Sequence, residues 1–264
     1  MKRWTAVEIK ALKGKERWAM LTAYDALSAQ WVESAELPVV LVGDSLGMTS
    51  LGYESTLPVS MEAMLHHTAA VSRVTHRALV VADMPFMSYQ PSLACGIANA
   101  GRFVQEAGAD AVKVEGGVIR AALIEALVTN GIPVLGHIGL TPQSVKELGG
   151  YRVQGQNEVQ ARELMDDAMA VEQAGAFAVV LECVPSELSQ QITAALSIPT
   201  VGIGAGAGCD AQVLVISDLL GLSEKKPPSF VRPFAVLAPQ IEEAVVAFKR
   251  AVESGEFPGD EESF

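Results

Sequence analysis

Short apolar runs alternate along the chain with longer stretches in which apolar residues recur every three or four positions, the pattern of a parallel sheet wrapped by helices. Eight runs read as strands: Trp18–Thr22, Val39–Gly43, Leu79–Ala82, Ala111–Glu115, Val134–His137, Ala178–Glu182, Thr200–Ile203 and Val213–Ser217. Most lack polar alternation, as expected of strands covered on both faces. Met61, Met64, Leu65, Thr68 and Val71 fall at helical spacing, as do Ile119, Ala122, Leu123 and Ala126, and Ala161, Leu164, Met165, Ala168 and Val171; each set predicts one buried helix face. Gly108 and Gly175 stand where two helices need a left-handed cap, and Pro38, Pro133 and Pro199 open three strands, where a missing N–H is tolerated. Repeated βα units with eight strands predict an α/β fold, a (β/α)8 TIM barrel with an N-terminal helical extension, filling residues 1–264 as one domain. Only about ten residues, many of them glycine, separate strands seven and eight, which predicts a short or irregular helix there. After Gly221 a proline-rich polar stretch, Glu224–Pro233, gives way to helical periodicity over Phe234–Val252 and an acidic tail from about residue 253.

Composition narrows the function. Half of the 264 residues are apolar and 19% are charged, enough to build one large core and too few charges for extended disorder. A formal charge of −12 without a Lys/Arg cluster argues against a nucleic-acid partner. An anionic substrate must therefore be drawn by a local metal or lysine rather than by the overall field. Cys95, Cys183 and Cys209 are odd in number and lack metal-ligand spacing, as expected of structural thiols in a reducing compartment. With no membrane span or signal peptide legible either, a cytoplasmic location is expected.

In a parallel barrel the chemistry sits where the strands end. Five consecutive runs stop on ionisable groups: Asp44-Ser45, Asp83, Lys113 with Glu115, His137, and Glu182. One such residue reads as a helix cap or a loop turn, but five in succession converge on one mouth. Lys113 and Glu115 are two apart on a strand and share its inner face, where a charged pair is costly unless partners or a ligand offset desolvation; a structural salt bridge is the bland alternative. Asp44, Asp83 and Glu115 are hard oxygen donors suited to magnesium, which a 2-oxo acid can chelate so that its neighbouring C–H becomes acidic, with Lys113 adding charge against the enolate. Glu182 has no cation beside it in sequence and is the candidate general base, a salt-bridged carboxylate being its alternative. His137 is a candidate donor to substrate or a core histidine; His66 and His67 lie in a predicted helix and read as structural. Gly202, Gly204, Gly206 and Gly208 lack the following helix and acidic residue of a dinucleotide site, and read as tight turns or close backbone approach at the rim.

Several segments are specific enough to compare. Leu21-Thr-Ala-Tyr-Asp25, Val42-Gly-Asp-Ser-Leu-Gly47, Val81-Ala-Asp-Met-Pro-Phe86, Val112-Lys-Val-Glu-Gly-Gly117, Gly136-His-Ile-Gly-Leu-Thr-Pro142, Gly149-Gly-Tyr151, Leu181-Glu-Cys-Val-Pro185 and Gly202-Ile-Gly-Ala-Gly206 occur in order. The chain resembles the ketopantoate hydroxymethyltransferase family from about Leu21 to Gly221. The resemblance implies a barrel of the phosphoenolpyruvate/pyruvate type that moves a hydroxymethyl group from 5,10-methylenetetrahydrofolate to 3-methyl-2-oxobutanoate, giving 2-dehydropantoate on the way to pantothenate and coenzyme A. It implies Mg2+ held by Asp44, Asp83 and Glu115, oxo-acid contacts from Asp44, Ser45, Asp83 and Lys113, His137 near the substrate, Glu182 as proton acceptor, and assembly as a homodecamer. Cys209-Asp-Ala211 and Ile216-Ser217-Asp218 depart from the family pattern at the strand-eight rim, where they bear on folate fit or packing. The competing enzyme reading is a carbon–carbon lyase or phosphonomutase of the isocitrate-lyase type, which folate dependence would separate. A non-catalytic metabolite-binding barrel is a third, and leaves the Lys113/Glu115 pair without a purpose.

Overall fold

The computed structural model describes residues 2–223 and 227–264, so the start of the predicted polar stretch at 224–226 lies outside the described residues. Eight parallel strands close into a barrel in chain order: β1 (Trp18–Thr22), β2 (Val39–Val42), β3 (Leu79–Asp83), β4 (Ala111–Glu115), β5 (Val134–Gly139), β6 (Ala178–Glu182), β7 (Thr200–Ile203) and β8 (Ala211–Leu214). β1 closes the ring by pairing with β8, Trp18 opposite Ala211 and Met20 opposite Val213. The helices are α1 (Ala6–Lys10), α2 (Ala26–Ser34), α3 (Leu46–Thr49), α4 (Met61–Ser72), α5 (Leu93–Gln105), α6 (Ala121–Thr129), α7 (Glu158–Gln173), α8 (Ser186–Ala195), α9 (Ile216–Leu219) and α10 (Ala238–Ser254). α1 is the expected N-terminal extension, held by a Thr5/Glu8 capping box, and its Ile9 is fully buried in the core cluster.

The barrel interior is sorted along its axis. Met20, Val39, Leu41, Leu79, Val81, Ala111, Leu135, Val180 and Val201 belong to one buried apolar cluster. Two residues further along, the inward positions turn polar: Val81 is followed by Asp83, Ala111 by Lys113 and then Glu115, Leu135 by His137, and Val180 by Glu182. The period of two in a strand keeps these side chains on the face that the apolar layer occupies. The core therefore forms a floor, and the charged groups stand on it at the C-terminal ends of the strands.

Four expectations are corrected. The last strand is Ala211–Leu214 rather than Val213–Ser217; Ile216 and Ser217 already belong to α9, because a short apolar run is compatible with either a strand or a helix. No helix links β7 and β8: seven residues form a turn, with Gly204 and Gly206 at φ 62° and 76°, and a Cβ at Gly206 would lie 2.2 Å from the Ser186 hydroxyl. α6 buries Leu123, Ile124 and Leu127 rather than the Ile119 face, because Val118–Arg120 form a 3-10 turn that shifts the phase and leaves Ile119 exposed. The periodicity expected from Phe234 becomes helical only at Ala238.

The described residues form two compact units, one ending at Val215 and the other beginning at Ile216. In the second, Phe234 and Ala235 donate backbone hydrogen bonds to the Leu219 carbonyl. α10 carries Ile241, Val245, Phe248 and Val252 as an exposed apolar stripe.

Candidate active site

The ends of neighbouring strands bring six of the predicted groups, Asp44, Asp83, Lys113, Glu115, His137 and Glu182, into one connected set. Asp83 lies opposite Lys113 across the β3/β4 pairing, and Glu115 opposite His137 across β4/β5. The Lys113 ammonium donates to both Asp83 oxygens at 2.7 Å and to Glu115 Oε1 at 3.4 Å. Asp44, just past β2, donates its backbone N–H to Asp83 Oδ2 at 3.2 Å. One carboxylate oxygen from each of Asp44, Asp83 and Glu115 lies within 4.8 Å of the others, the spacing of a metal-binding triad. All three side chains are buried, as is Lys113.

The sequence leaves Glu182 without a cation, and here the structure differs. His137 stands between two glutamates, its Nε2 3.2 Å from Glu182 Oε2 and its Nδ1 3.3 Å from Glu115 Oε1. Both are ion-pair distances, but neither is aligned as a hydrogen bond. Glu182 also retains 17% side-chain exposure, whereas the triad side chains are buried. The following residue, Cys183, is held at φ 50°, a conformation that costs a non-glycine residue about 1–3 kcal/mol and persists only where surrounding contacts enforce it. Here its N–H donates to the Ile203 carbonyl and its own carbonyl accepts from Gln154, both at 2.9 Å. Burial pushes its thiol up to about 11, which disfavours the thiolate.

The electrostatics mark the triad as short of positive charge. Burial, then repulsion from Asp83 and Glu115, pushes the Asp44 carboxyl well above the usual range. Burial also raises Asp83, more than the neighbouring Lys113 lowers it. For Glu115 burial acts upward too, but Lys113, His137 and the Gln143 N–H outweigh it and bring the value to about 2. Burial and Lys113 oppose the charged form of His137, yet Glu115 and Glu182 prevail and hold it at about 9. Burial likewise opposes the Lys113 charge, which Asp83, Glu115 and Asp44 more than restore. The His137 charge is shared between Glu115 and Glu182, so Asp44 and Asp83 have only the Lys113 ammonium to offset them, and an additional cation would relieve both.

Ser45 lies beside this set, its hydroxyl 2.9 Å from that of Tyr24. His67 sits apart, against the Tyr24 carbonyl, and none of the described contacts brings His66 to the carboxylates. Sequence reasoning missed Tyr24, Tyr89 and Gln143. Gln143 reaches both Asp44 and Glu115, and Tyr89 holds Gln143. A cavity of about 900 Å³ shares Tyr89, Glu115 and Gln143 with the site and extends past Phe86, Arg120 and Lys146.

With this geometry established, comparison with known proteins places the chain. The family model described as Ketopantoate hydroxymethyltransferase matches residues 3–260. A 3-methyl-2-oxobutanoate hydroxymethyltransferase of Syntrophus aciditrophicus is 54% identical over 261 residues, covering 98% of this chain and 96% of that protein. One from Carboxydothermus hydrogenoformans is also 54% identical, over 100% of this chain and 96% of its own. Among solved structures, a phosphoenolpyruvate phosphomutase from Streptomyces platensis subsp. rosaceus superposes with a TM-score of 0.64 at 16% identity, covering 95% of this chain and 88% of that one. A 2,3-dimethylmalate lyase of the PEP mutase/isocitrate lyase superfamily gives 0.61 at 15%, covering 98% and 91%. At such identities these two likenesses carry the barrel type alone.

Proposed function

The chain belongs to the ketopantoate hydroxymethyltransferase family, and on that footing we propose that its strand-end carboxylates hold Mg2+ and a 2-oxo acid while Glu182 removes the substrate's C3 proton. The enzyme is a hydroxymethyltransferase of pantothenate biosynthesis, acting on 3-methyl-2-oxobutanoate. The observation that carries the mechanistic reading is the Asp44/Asp83/Glu115 triad, buried and under-compensated beside Lys113. A hard divalent cation fits three carboxylate oxygens at this spacing, and when bound supplies Lewis-acid polarisation of the substrate ketone.

The remaining steps fall to the chain's own side chains. Lys113, fixed by Asp83 and Glu115, places positive charge where enolate charge develops. Ser45, held by Tyr24, offers a hydrogen bond to the oxo acid, while His137, its two ring nitrogens facing Glu115 and Glu182, places its charge beside the base. Glu182 takes the C3 proton; water adds to the methylene carbon of 5,10-methylenetetrahydrofolate and both of its C–N bonds break, so that tetrahydrofolate leaves with the two water protons on its nitrogens and the carbon is left as formaldehyde. The C3 carbanion attacks that carbonyl carbon, the C=O π pair becomes an alkoxide, and the proton held by Glu182 completes the hydroxymethyl group of 2-dehydropantoate. The adjoining 900 Å³ cavity supports a second, larger substrate beside the oxo acid.

The lyase or phosphonomutase alternative shares the barrel, but its likeness stands at 16% identity or below in the structures compared, against 54% for the hydroxymethyltransferases. Self-association is supported by the apolar stripe on α10, and the family resemblance makes a homodecamer the expected assembly. No helix among the described residues is long and apolar enough to cross a membrane, which is compatible with a cytoplasmic enzyme.

The test is an assay of purified protein with oxo acid, methylenetetrahydrofolate and Mg2+, omitting each in turn. Formation of 2-dehydropantoate only when all three are present supports the reading; turnover without folate would favour the lyase. Asp83→Ala should abolish Mg2+-dependent binding of the oxo acid, and unchanged affinity would remove Asp83 from the site.

A further inference from the structure

Gln143 has no part in the chemistry above, yet it hydrogen-bonds two of the three triad carboxylates, Asp44 and Glu115, as Lys113 does with Asp83 and Glu115. It lies in the 3-10 turn Pro142–Ser144 after β5 and is 5% exposed. Its Nε2 donates to Asp44 Oδ2 and to the Met84 carbonyl, both at 2.9 Å. Its Oε1 accepts from the Tyr89 hydroxyl at 2.8 Å and from Gln90 Nε2 at 3.0 Å, and its backbone N–H donates to Glu115 Oε2 at 3.0 Å.

These neighbours permit one amide orientation. The Met84 carbonyl can only accept, and Gln90 presents its amide nitrogen because its own oxygen accepts from the Tyr89 N–H. The Tyr89 hydroxyl accepts from the Glu115 N–H at 3.3 Å and directs its own proton to Gln143. A relay therefore runs from the β4 backbone through Tyr89 and Gln143 to the Asp44 carboxylate, while the same loop residue holds Glu115.

The residue type matters as much as the contacts. A lysine or arginine here would neutralise Asp44 and compete with an incoming cation. A neutral amide fixes one Asp44 oxygen and leaves the negative charge available. We propose that Gln143 is a positioning residue of the cation site, setting the rotamers of Asp44 and Glu115, with Tyr89 locking its amide. The inference rests on the metal reading above.

Mn2+ binding to the full chain, followed by electron paramagnetic resonance titration, tests it without recourse to activity. Wild type should bind one Mn2+ in the triad. Gln143→Met keeps the volume and removes the amide, and should weaken binding about 10- to 100-fold with an altered Mn2+ spectrum, the range typical when a partner of a ligand is removed. Tyr89→Phe, which loses one neutral hydrogen bond, should weaken binding about fivefold. Wild-type affinity and spectrum in a folded Gln143→Met protein would overturn the proposal. If that variant does not fold, unchanged binding and spectrum in Tyr89→Phe would overturn it instead. Absence of Mn2+ binding by wild type would sink the metal reading and this inference together, whereas weakened binding in the variants alone supports both.

Discussion

The Glu182 carboxylate meets the His137 imidazole at 3.2 Å, and the far nitrogen of the same ring faces Glu115 at 3.3 Å. The proposed base and a proposed cation ligand are thus joined through one buried ring. Any change of charge at one carboxylate is felt at the other, which couples the proposed proton removal to the proposed cation binding.

In the metal-free protein, His137 should remain an imidazolium at neutral pH and lose its proton near pH 9. Because the folded value is raised, the resulting stabilisation is fully present below about 6.5 and disappears as pH rises through about 9. Nitrogen-15 correlation spectra of the imidazole against pH would show this directly. A ring that is neutral at pH 7 would contradict its placement between Glu115 and Glu182.

Cation binding should release protons. Burial, with repulsion from Glu115, raises both Asp44 and Asp83, so Mg2+ competes with protons and binds more tightly as pH rises. Calorimetric titration in two buffers of different ionisation enthalpy measures the release. Equal apparent enthalpies would mean that no proton leaves.

Much of this site is legible in the sequence because a parallel barrel sends every strand end to one mouth. Asp44, Asp83, Lys113, Glu115, His137 and Glu182 each stop an apolar run, and period-two alternation alone puts Lys113 and Glu115 on the inner face. The His137–Glu182 contact was not legible, since the two residues are 45 positions apart and meet only through the β5/β6 register. Gln143 and Tyr89 carry no charge and lie in loops, where a glutamine or tyrosine is unremarkable until its burial is known. The only sequence signal was the adjacency of Gln143 to the strand-five end, in Gly139-Leu-Thr-Pro-Gln143. The phase of α6 was hidden by the preceding 3-10 turn, and the end of β8 by an apolar run continuing into α9.

At the opposite end of the barrel, Asp210 accepts from the Thr200 N–H at 2.9 Å, the Gly14 N–H at 3.2 Å and the Lys13 ammonium at 2.9 Å. Asp210→Ala should cost about 1–3 kcal/mol by leaving these donors unpaired. Burial works against the Asp210 charge, but the Thr200 N–H and Lys13 lower its pKa overall. That contribution is therefore present above the ordinary aspartate range and lost as pH falls through the folded value. Denaturant melts should differ between the two proteins at neutral pH and converge in acid; a constant difference would refute the assignment.

Gly139 has φ 90°, and a Cβ there would lie 2.3 Å from the Glu182 carbonyl oxygen. The obstacle is backbone, so no rotamer change relieves it. Gly139→Ala should destabilise the fold by about 1–3 kcal/mol through overpacking and displace Glu182, lowering turnover even where the protein stays folded. A variant with wild-type melting temperature and kcat would show that β5 and β6 can separate there at no cost.

The central claim is that Glu182 removes the substrate's C3 proton. The direct measurement is exchange of that proton with deuterated water, followed by proton NMR with Mg2+ and 3-methyl-2-oxobutanoate in the absence of folate. Wild type should exchange it and Glu182→Gln should be slower by about 10²–10⁴-fold, the usual contribution of a positioned general base. Exchange by Glu182→Gln at the wild-type rate would mean that another group is the base.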